Sequence, residues 1–429
     1  MGHPRLPSSP NRRDILRMTL AGAGLTALGG GLSRGLLRHA EGAPITGIKR
    51  VVVIFAYGGW DGLNVVIPTS NQAYYDRRPT IQIPSGSALT LNGTSDYGFH
   101  PSMDRLQALW NNDATVAAFR RVGYPSENLS HFESQDIYSE GVRNGFGGLP
   151  IDPSGWIARV SNDLQFSATG AVAVGVGRPL EVEGADTSPL MVSSLSAFRF
   201  QNDQAYTNNH LYRLEVLKQM MQGYSGSTLD TESAQALEQG LDLADQIQAA
   251  VSSYSSPYAD DYPNNSPGRY LKDIARLIQG GFDSQVFFTG FGGHDTHGDQ
   301  GAETGTQATL LERLDSAIGA FADDCKDMGV WDDTCVVMLS EFGRRNFENS
   351  SQGTDHGHGN QFFATGGSMN GGLYGPDITE SDIADRNWMD YELDFRDILR
   401  DIVTNHLGGN GNSVFPETQQ FNNTLGLFA

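Results

Sequence analysis

Half of the chain's ten histidines fall in three short segments that also carry Asp, Glu or Ser. The densest is Gly292-Gly293-His294-Asp295-Thr296-His297-Gly298-Asp299-Gln300. Two imidazoles and two carboxylates so close together offer the mixed nitrogen and oxygen donors that zinc and iron take. A second cluster joins Ser340-Glu341-Phe342-Gly343-Arg344-Arg345 to Asp355-His356-Gly357-His358-Gly359-Asn360. Alternate histidines behind an aspartate in a glycine-rich loop are rarely needed for packing. Glu341, Asp355, His356 and His358 are therefore read as metal-type ligands beside Asp295 and His297.

Two further segments are less specific. Gly58-Gly59-Trp60-Asp61-Gly62-Leu63-Asn64 sets a hard oxygen donor, Asp61, in a tight turn. Asn128-Leu129-Ser130-His131-Phe132-Glu133 sets a hydroxyl beside an imidazole. Ser130 is either a nucleophile with its neighbour or a helix N-cap closed into a capping box by Glu133. The two roles are compatible, because a helix N-terminus also stabilises an anion.

These segments need elements to hold them. Arg50 to Ala56 is a continuous run of mainly β-branched residues, the pattern of a strand buried on both faces. Strands are expected at 115–119, 171–176, 285–290 and 334–339, with a short one at 362–364. Helical spacing covers 101–110, 268–279, 305–328 and 394–407, and Leu311, Leu314, Ile318 and Phe321 share one face of the third. Residues 209–252 carry two helical patterns, read as a helical insertion spanning about 205–265. The alternation predicts an α/β fold, a mostly parallel central sheet with helices on both faces. Such sheets gather ligands at the carboxyl ends of their strands, and most of the polar clusters follow predicted strands.

Composition narrows the function classes. Of 429 residues, 38% are hydrophobic and 18% charged, as in an ordinary globular chain. The net charge is −21, and six of the 29 bases lie in residues 1–43, which leaves about −25 on the rest. So acidic a surface excludes nucleic acid as a partner. Cys325 and Cys335 are too few for a disulfide scaffold, and their pairing stays open. At the front, Arg12-Arg13-Asp14-Ile15-Leu16-Arg17 precedes a short apolar run diluted by glycine, Met18 to Leu32. That is the pattern of a twin-arginine (Tat) export signal over residues 1–43, ahead of a single domain over 44–429. Arg34 and Arg38 interrupt the run before it can span a bilayer, so no stable membrane insertion is expected. The expected location is periplasmic or extracellular, and the first partner is the Tat machinery.

The signal together with Gly59-Trp60-Asp61-Gly62-Leu63-Asn64, Ser130-His131-Phe132-Glu133, Asp295-Thr296-His297, Ser340-Glu341-Phe342-Gly343-Arg344 and Asp355-His356-Gly357-His358-Gly359-Asn360 resembles the bacterial family known as domain of unknown function 1501. The resemblance runs from about residue 47 to the C-terminus and includes six motifs in order. That family is grouped with the alkaline-phosphatase-like superfamily of phosphatases, sulfatases and phosphoglycerate mutases. The resemblance implies an alkaline-phosphatase-like α/β fold, a Ser130 nucleophile, and metal ligands Asp61, Asp295, His297, Glu341 and His356 or His358. It implies a divalent metal, zinc by ligand type, as one or two ions. The chain departs from the superfamily pattern at two places. His297 stands two residues after Asp295, where the superfamily spaces Asp and His by four, and Glu341-Phe342 replaces an Asp-His pair, which leaves a full ligand set for one ion. The Cys-x-Pro-x-Arg signature of formylglycine sulfatases is absent, as is a Gly-x-Ser-x-Gly elbow.

Two functions are expected on these grounds. One is a metal-dependent hydrolase of phosphate or sulfate esters, on small molecules or polymers, with Ser130, His131 and Arg344 as its catalytic residues. Arg344 or Arg345 and Asn64 would then bind the ester's charged oxygens. The other is a non-catalytic exported binding or assembly protein that keeps the fold. In either case, replacing both Arg12 and Arg13 by Lys should abolish export, because the pair is the part of the signal that the receptor reads. Fractionation of cells making the double variant checks this, and secretion at the wild-type level would contradict it.

Overall fold

The computed structural model describes residues 43–141, 154–186, 188–198, 228–416 and 425–428. The expected export signal, up to residue 42, and residues 205–227 of the expected helical insertion lie outside the described residues. The β-branched run forms β1 (Arg50–Ala56), buried along its whole length. Three two-residue strands follow, β2 (Val66–Ile67), β3 (Leu89–Thr90) and β4 (Gly98–Phe99), and make a small separate sheet in the order β2-β4-β3. The main sheet continues through β5 (Val116–Gly123), β6 (Ala171–Val174), β7 (Leu190–Val192), β8 (Val286–Phe291) and β9 (Thr334–Leu339). It is completed by β10 (Asn360–Gly366), β11 (Gly372–Tyr374) and β12 (Leu393–Asp394).

The order is β11-β5-β10-β9-β1-β8-β6-β7, with β12 also paired to β5. β1 lies parallel between β8 and β9, Val53 opposite both Phe288 and Val337. Every residue of β1, β5, β8, β9 and β10 is buried. That explains their near-continuous apolar runs, since a sheet covered on both faces has no use for alternation. Among the described strands of this sheet, only β10 runs against the rest. The fold is α/β with a mostly parallel sheet.

Helices Ser266–Gln279 and Thr306–Asp327 pack on one another and help cover the sheet. Leu311, Leu314, Ile318 and Phe321 are all buried, as their spacing requires. Helix Thr228–Ser253, within the expected insertion, buries Leu241, Ile247 and Ala250 and packs on Ser266–Gln279. The C-terminal helical pattern is α-helical over Phe395–Asp401 and loosens into a π-turn over Ile402–His406. Cys325 and Cys335 are both buried and free. No helix among the described residues is long and apolar enough to cross a membrane.

The reversed β10 positions the site. The loops after β1, β5, β8 and β9 emerge at the sheet's carboxyl edge, and an antiparallel β10 begins at that same edge. The segment 355–359, which leads into β10, therefore arrives beside them. Two glycines let these loops touch. Gly58 has φ +120°, and a Cβ there would sit 2.5 Å from the Asp295 backbone nitrogen. Gly59 has φ +68°, and a Cβ there would sit 2.2 Å from the Phe342 ring. Neither position accepts a side chain.

Candidate metal centre

Helix His131–Glu140 presents His131 from its first turn, and the loop after β8 presents Asp295 and His297. His356 is brought in by the segment before β10, which pairs with Arg344 through an isolated antiparallel bridge. The ring nitrogens of these three histidines are sorted by their partners. His131 Nδ1 donates to Glu341 Oε1 at 2.9 Å, His297 Nδ1 to Asp355 Oδ1 at 3.1 Å, and His356 Nδ1 to the Leu129 carbonyl at 2.8 Å. A carbonyl or carboxylate can only accept, so each Nδ1 carries a proton and Nε2 is the nitrogen of each ring left to ligate a metal.

Those nitrogens converge on one carboxylate. His297 Nε2 and His356 Nε2 are 2.9 Å apart, and they lie 3.0 and 3.1 Å from Asp295 Oδ1. His131 Nε2 is 3.5 Å from Asp295 Oδ2. His131, Asp295 and His356 each offer a ligand atom within 4.8 Å of the others. Neutral imidazole lone pairs facing each other and a carboxylate at such distances repel unless a proton or a cation lies among them. The donor set of His131, Asp295 and His356, with His297 beside it, is of the type that a zinc-type divalent ion takes. The outer arrangement is of that type too, since metal-binding histidines characteristically donate their other N–H to a carboxylate or carbonyl. The Asp295 and His297 side chains are 44% and 45% exposed, so the centre is open on one side, as catalytic metal sites are.

Arg344 secures this arrangement from below. Its guanidinium is fully buried and reaches Asp295 Oδ1 at 2.7 Å. The same group donates to the carbonyls of Gly58, Gly59, His294 and Thr354. Burial works to raise the Asp295 pKa, but Arg344, His356 and His297 outweigh it and bring it down to about 2. The carboxylate stays ionised and ready to ligate.

The remaining expected residues fall elsewhere. Glu341 is fully buried and accepts from Gly58 N at 2.7 Å and Gln135 Nε2 at 3.1 Å as well as from His131, so it orients a ligand. Asp355 plays the same part behind His297, steadied by Asn349 Nδ2 at 3.1 Å. Asp61 is not among the converging atoms. Its carboxylate is committed to Arg78 at 2.6 Å and Gln300 at 2.7 Å, all inside the protein. His358 is also apart, donating from Nε2 to the Tyr124 carbonyl at 2.8 Å, with Nδ1 buried and unpartnered. His294 is buried against Trp60 and Phe291, and burial with the nearby Arg344 drives its pKa down to about 3. It is a neutral core histidine.

Three expectations about catalytic groups change. Arg344 is fully buried and holds Asp295 and the backbone, so it does not reach out to a substrate. Asn64 is buried between Ile81, Tyr74 and Arg78, which occupy both ends of its amide. Ser130 occupies the N-cap position, but its side chain makes no cap hydrogen bond, and Glu133 turns instead to Asn128. The capping box does not form. Gln135, one helical turn beyond His131, lies in the same polar segment of the sequence but has no role assigned from it, although its i, i+4 spacing puts it on the same face. Asn349 and the Leu129 carbonyl gave no signal in the sequence, because their roles arise from loop contacts.

Metal content should follow this geometry. Protein purified without chelator should hold about one divalent ion per chain, by elemental analysis, and His297→Ala and His356→Ala should each lose most of it. Outer-partner changes such as Asp355→Asn should weaken binding by about 10–100-fold. Asp61→Asn should keep the ion, since Asp61 faces Arg78. Loss of metal in Asp61→Asn together with retention in His297→Ala would reverse the assignment.

No functionally curated protein matches the chain. Among solved structures, similar ones include a protein in the alkaline phosphatase superfamily from Vibrio parahaemolyticus, at 13% identity over 84% of this chain and 68% of that one, TM-score 0.32. The C-terminal periplasmic domain of EcEptC from Escherichia coli gives 9% identity over 86% and 83%, TM-score 0.35. The lipoteichoic acid synthase LtaP from Listeria monocytogenes gives 11% over 85% and 76%, TM-score 0.31. These likenesses are distant. The family described as "Protein of unknown function (DUF1501)" matches residues 48–420, and the chain belongs to it.

Proposed function

We propose that the protein is an exported, metal-dependent hydrolase of phosphate or sulfate esters with Ser130 as its nucleophile. The observation that carries this reading is the convergence of His131, His297 and His356 Nε2 on Asp295 at the solvent-open carboxyl edge of the sheet. A divalent ion held there supplies Lewis acidity, which lowers the pKa of a nearby hydroxyl and offsets charge on the transferring group. Support for ester chemistry comes from the order of the sequence motifs, and support for export from Arg12-Arg13.

Ser130 directly precedes a metal-type ligand, is half-buried, and has no capping role to occupy its hydroxyl. It also sits at the N-terminus of a ten-residue helix, where backbone N–H groups favour negative charge. Its Oγ would attack phosphorus or sulfur as its proton passes to solvent, the alcohol would leave with a proton from solvent, and water would then release the serine-bound group as Oγ takes a proton back. With Arg344 engaged, Arg345 is the cation left for the ester's charged oxygens. Burial works to raise the Asp355 pKa, but the Asn349 and His297 hydrogen bonds and the nearby Arg345 charge outweigh it and lower it, and Arg345 forms no ion pair among the described residues. A second reading, a non-catalytic metal-holding binding protein, is favoured by one observation. The net charge of −21 repels anionic esters.

Ser130→Ala separates the two. It should keep its metal and its thermal midpoint yet lose turnover on a phosphate- and sulfate-ester panel by about 10³-fold or more. Full activity in that variant would reduce Ser130 to a helix-start residue. A metal-loaded wild type that turns over no ester would favour the binding reading.

A further inference from the structure

A cleft of about 300 Å³ opens beside the metal centre, between the carboxyl ends of β1 and β8 and helices Ser266–Gln279 and Thr306–Asp327. Its lining includes Tyr57, Tyr270, Phe291, Ser266, Leu310 and Arg313. Cleft and centre share a wall. Tyr57 immediately precedes Gly58, which bonds Glu341, and the Tyr57 carbonyl accepts from His294 N at 3.3 Å. Phe291 lines the cleft and also packs on His294, with ring centroids 5.0 Å apart. Gly292, another lining residue, is three positions before Asp295, so the two sites are at most about 11 Å apart along the backbone.

Two bare strand ends shape its aromatic walls. A Cβ on Gly290 would sit 2.6 Å from the Tyr57 ring, and a Cβ on Gly175 would sit 2.1 Å from the Tyr270 ring. Both rings therefore lie directly against backbone, held by packing and not by their hydroxyls. The Tyr57, Tyr270 and Ser266 hydroxyls have no hydrogen-bond partner among the described residues. Arg313 is exposed, and it forms no ion pair among the described residues although the chain carries 50 acids. Flat aromatic surface, free hydroxyls and one unpaired guanidinium make up the set.

We propose that this cleft binds an acidic saccharide ring, its apolar face against the tyrosines, its hydroxyls toward Tyr270 and Ser266, and its carboxylate or sulfate on Arg313. Aromatic rings give area at low entropic cost, and the guanidinium reads a planar anion with paired donors. A purely apolar ligand would leave the hydroxyls and Arg313 unused, and a neutral sugar would leave Arg313. The cleft's volume suits one or two rings. Taken with the hydrolase reading, on which this role rests, the cleft selects esters borne on acidic glycans.

The test is calorimetric titration of the full mature chain with a panel of uronate disaccharides and their neutral counterparts. At least one acidic member should bind about tenfold or more tightly than its neutral analogue. Arg313→Ala should abolish that preference, Arg313→Lys should restore part of it, and Tyr270→Ala should weaken binding of both by about tenfold. Absence of acidic binding across the panel, or an unchanged preference in Arg313→Ala, would overturn the proposal. Saccharide binding without ester turnover keeps the cleft and removes the hydrolase reading. Turnover without saccharide binding keeps the hydrolase and removes the cleft.

Discussion

One oxygen atom, Asp295 Oδ1, joins the site together. Arg344 reaches it at 2.7 Å, His297 at 3.0 Å and His356 at 3.1 Å. The buried guanidinium lowers the pKa of this carboxylate and fixes its position. The guanidinium is itself tolerable in the interior because four backbone carbonyls and Asp295 take up its donors. Removing Arg344 would therefore disturb two strand-end loops and the ligand set together. The rest of the centre is built on that fixed anion, with three imidazoles turned toward it by Glu341, Asp355 and the Leu129 carbonyl.

The sheet supplies the meeting point. Parallel strands deliver loops to one edge, and β10, the one reversed strand of this sheet among the described residues, adds a segment that a wholly parallel order would send to the other end. Close approach then depends on glycine, most directly at Gly58, where any side chain would strike the Asp295 backbone. The acidic surface sits outside this core of chemistry. The buried ion pair of Asp61 and Arg78 contributes in another way, fixing the turn after β1 against the loop that carries Gln300.

Much of this was legible in the sequence, for definable reasons. Buried strands announce themselves by β-branched runs, and Thr334–Leu339 matches its expected range residue for residue. The alternation of strands and helices led to the α/β architecture. Strand direction was not legible, since Phe362-Phe363-Ala364 reads the same either way, and so the reason why His356 reaches the centre stayed hidden. Within the site, the spacing of Asp295, His297 and His356 pointed to a metal. The same residue types misdirected at Asp61 and His358, whose partners are Arg78, 17 positions later, and a backbone carbonyl. His131 was marked for chemistry, but only the structure turns its Nε2 toward Asp295. Ser130 shows the converse, a sequence with every mark of a capping box in which the cap bond is not made.

The most direct test of the central claim is X-ray absorption at the metal edge of the purified, loaded protein, beside its His131→Ala variant. The arrangement predicts light-atom ligation with about three imidazole contributions in the wild type, falling to two in the variant, and no sulfur. A metal-free protein would contradict it, as would an imidazole count that His131→Ala leaves unchanged.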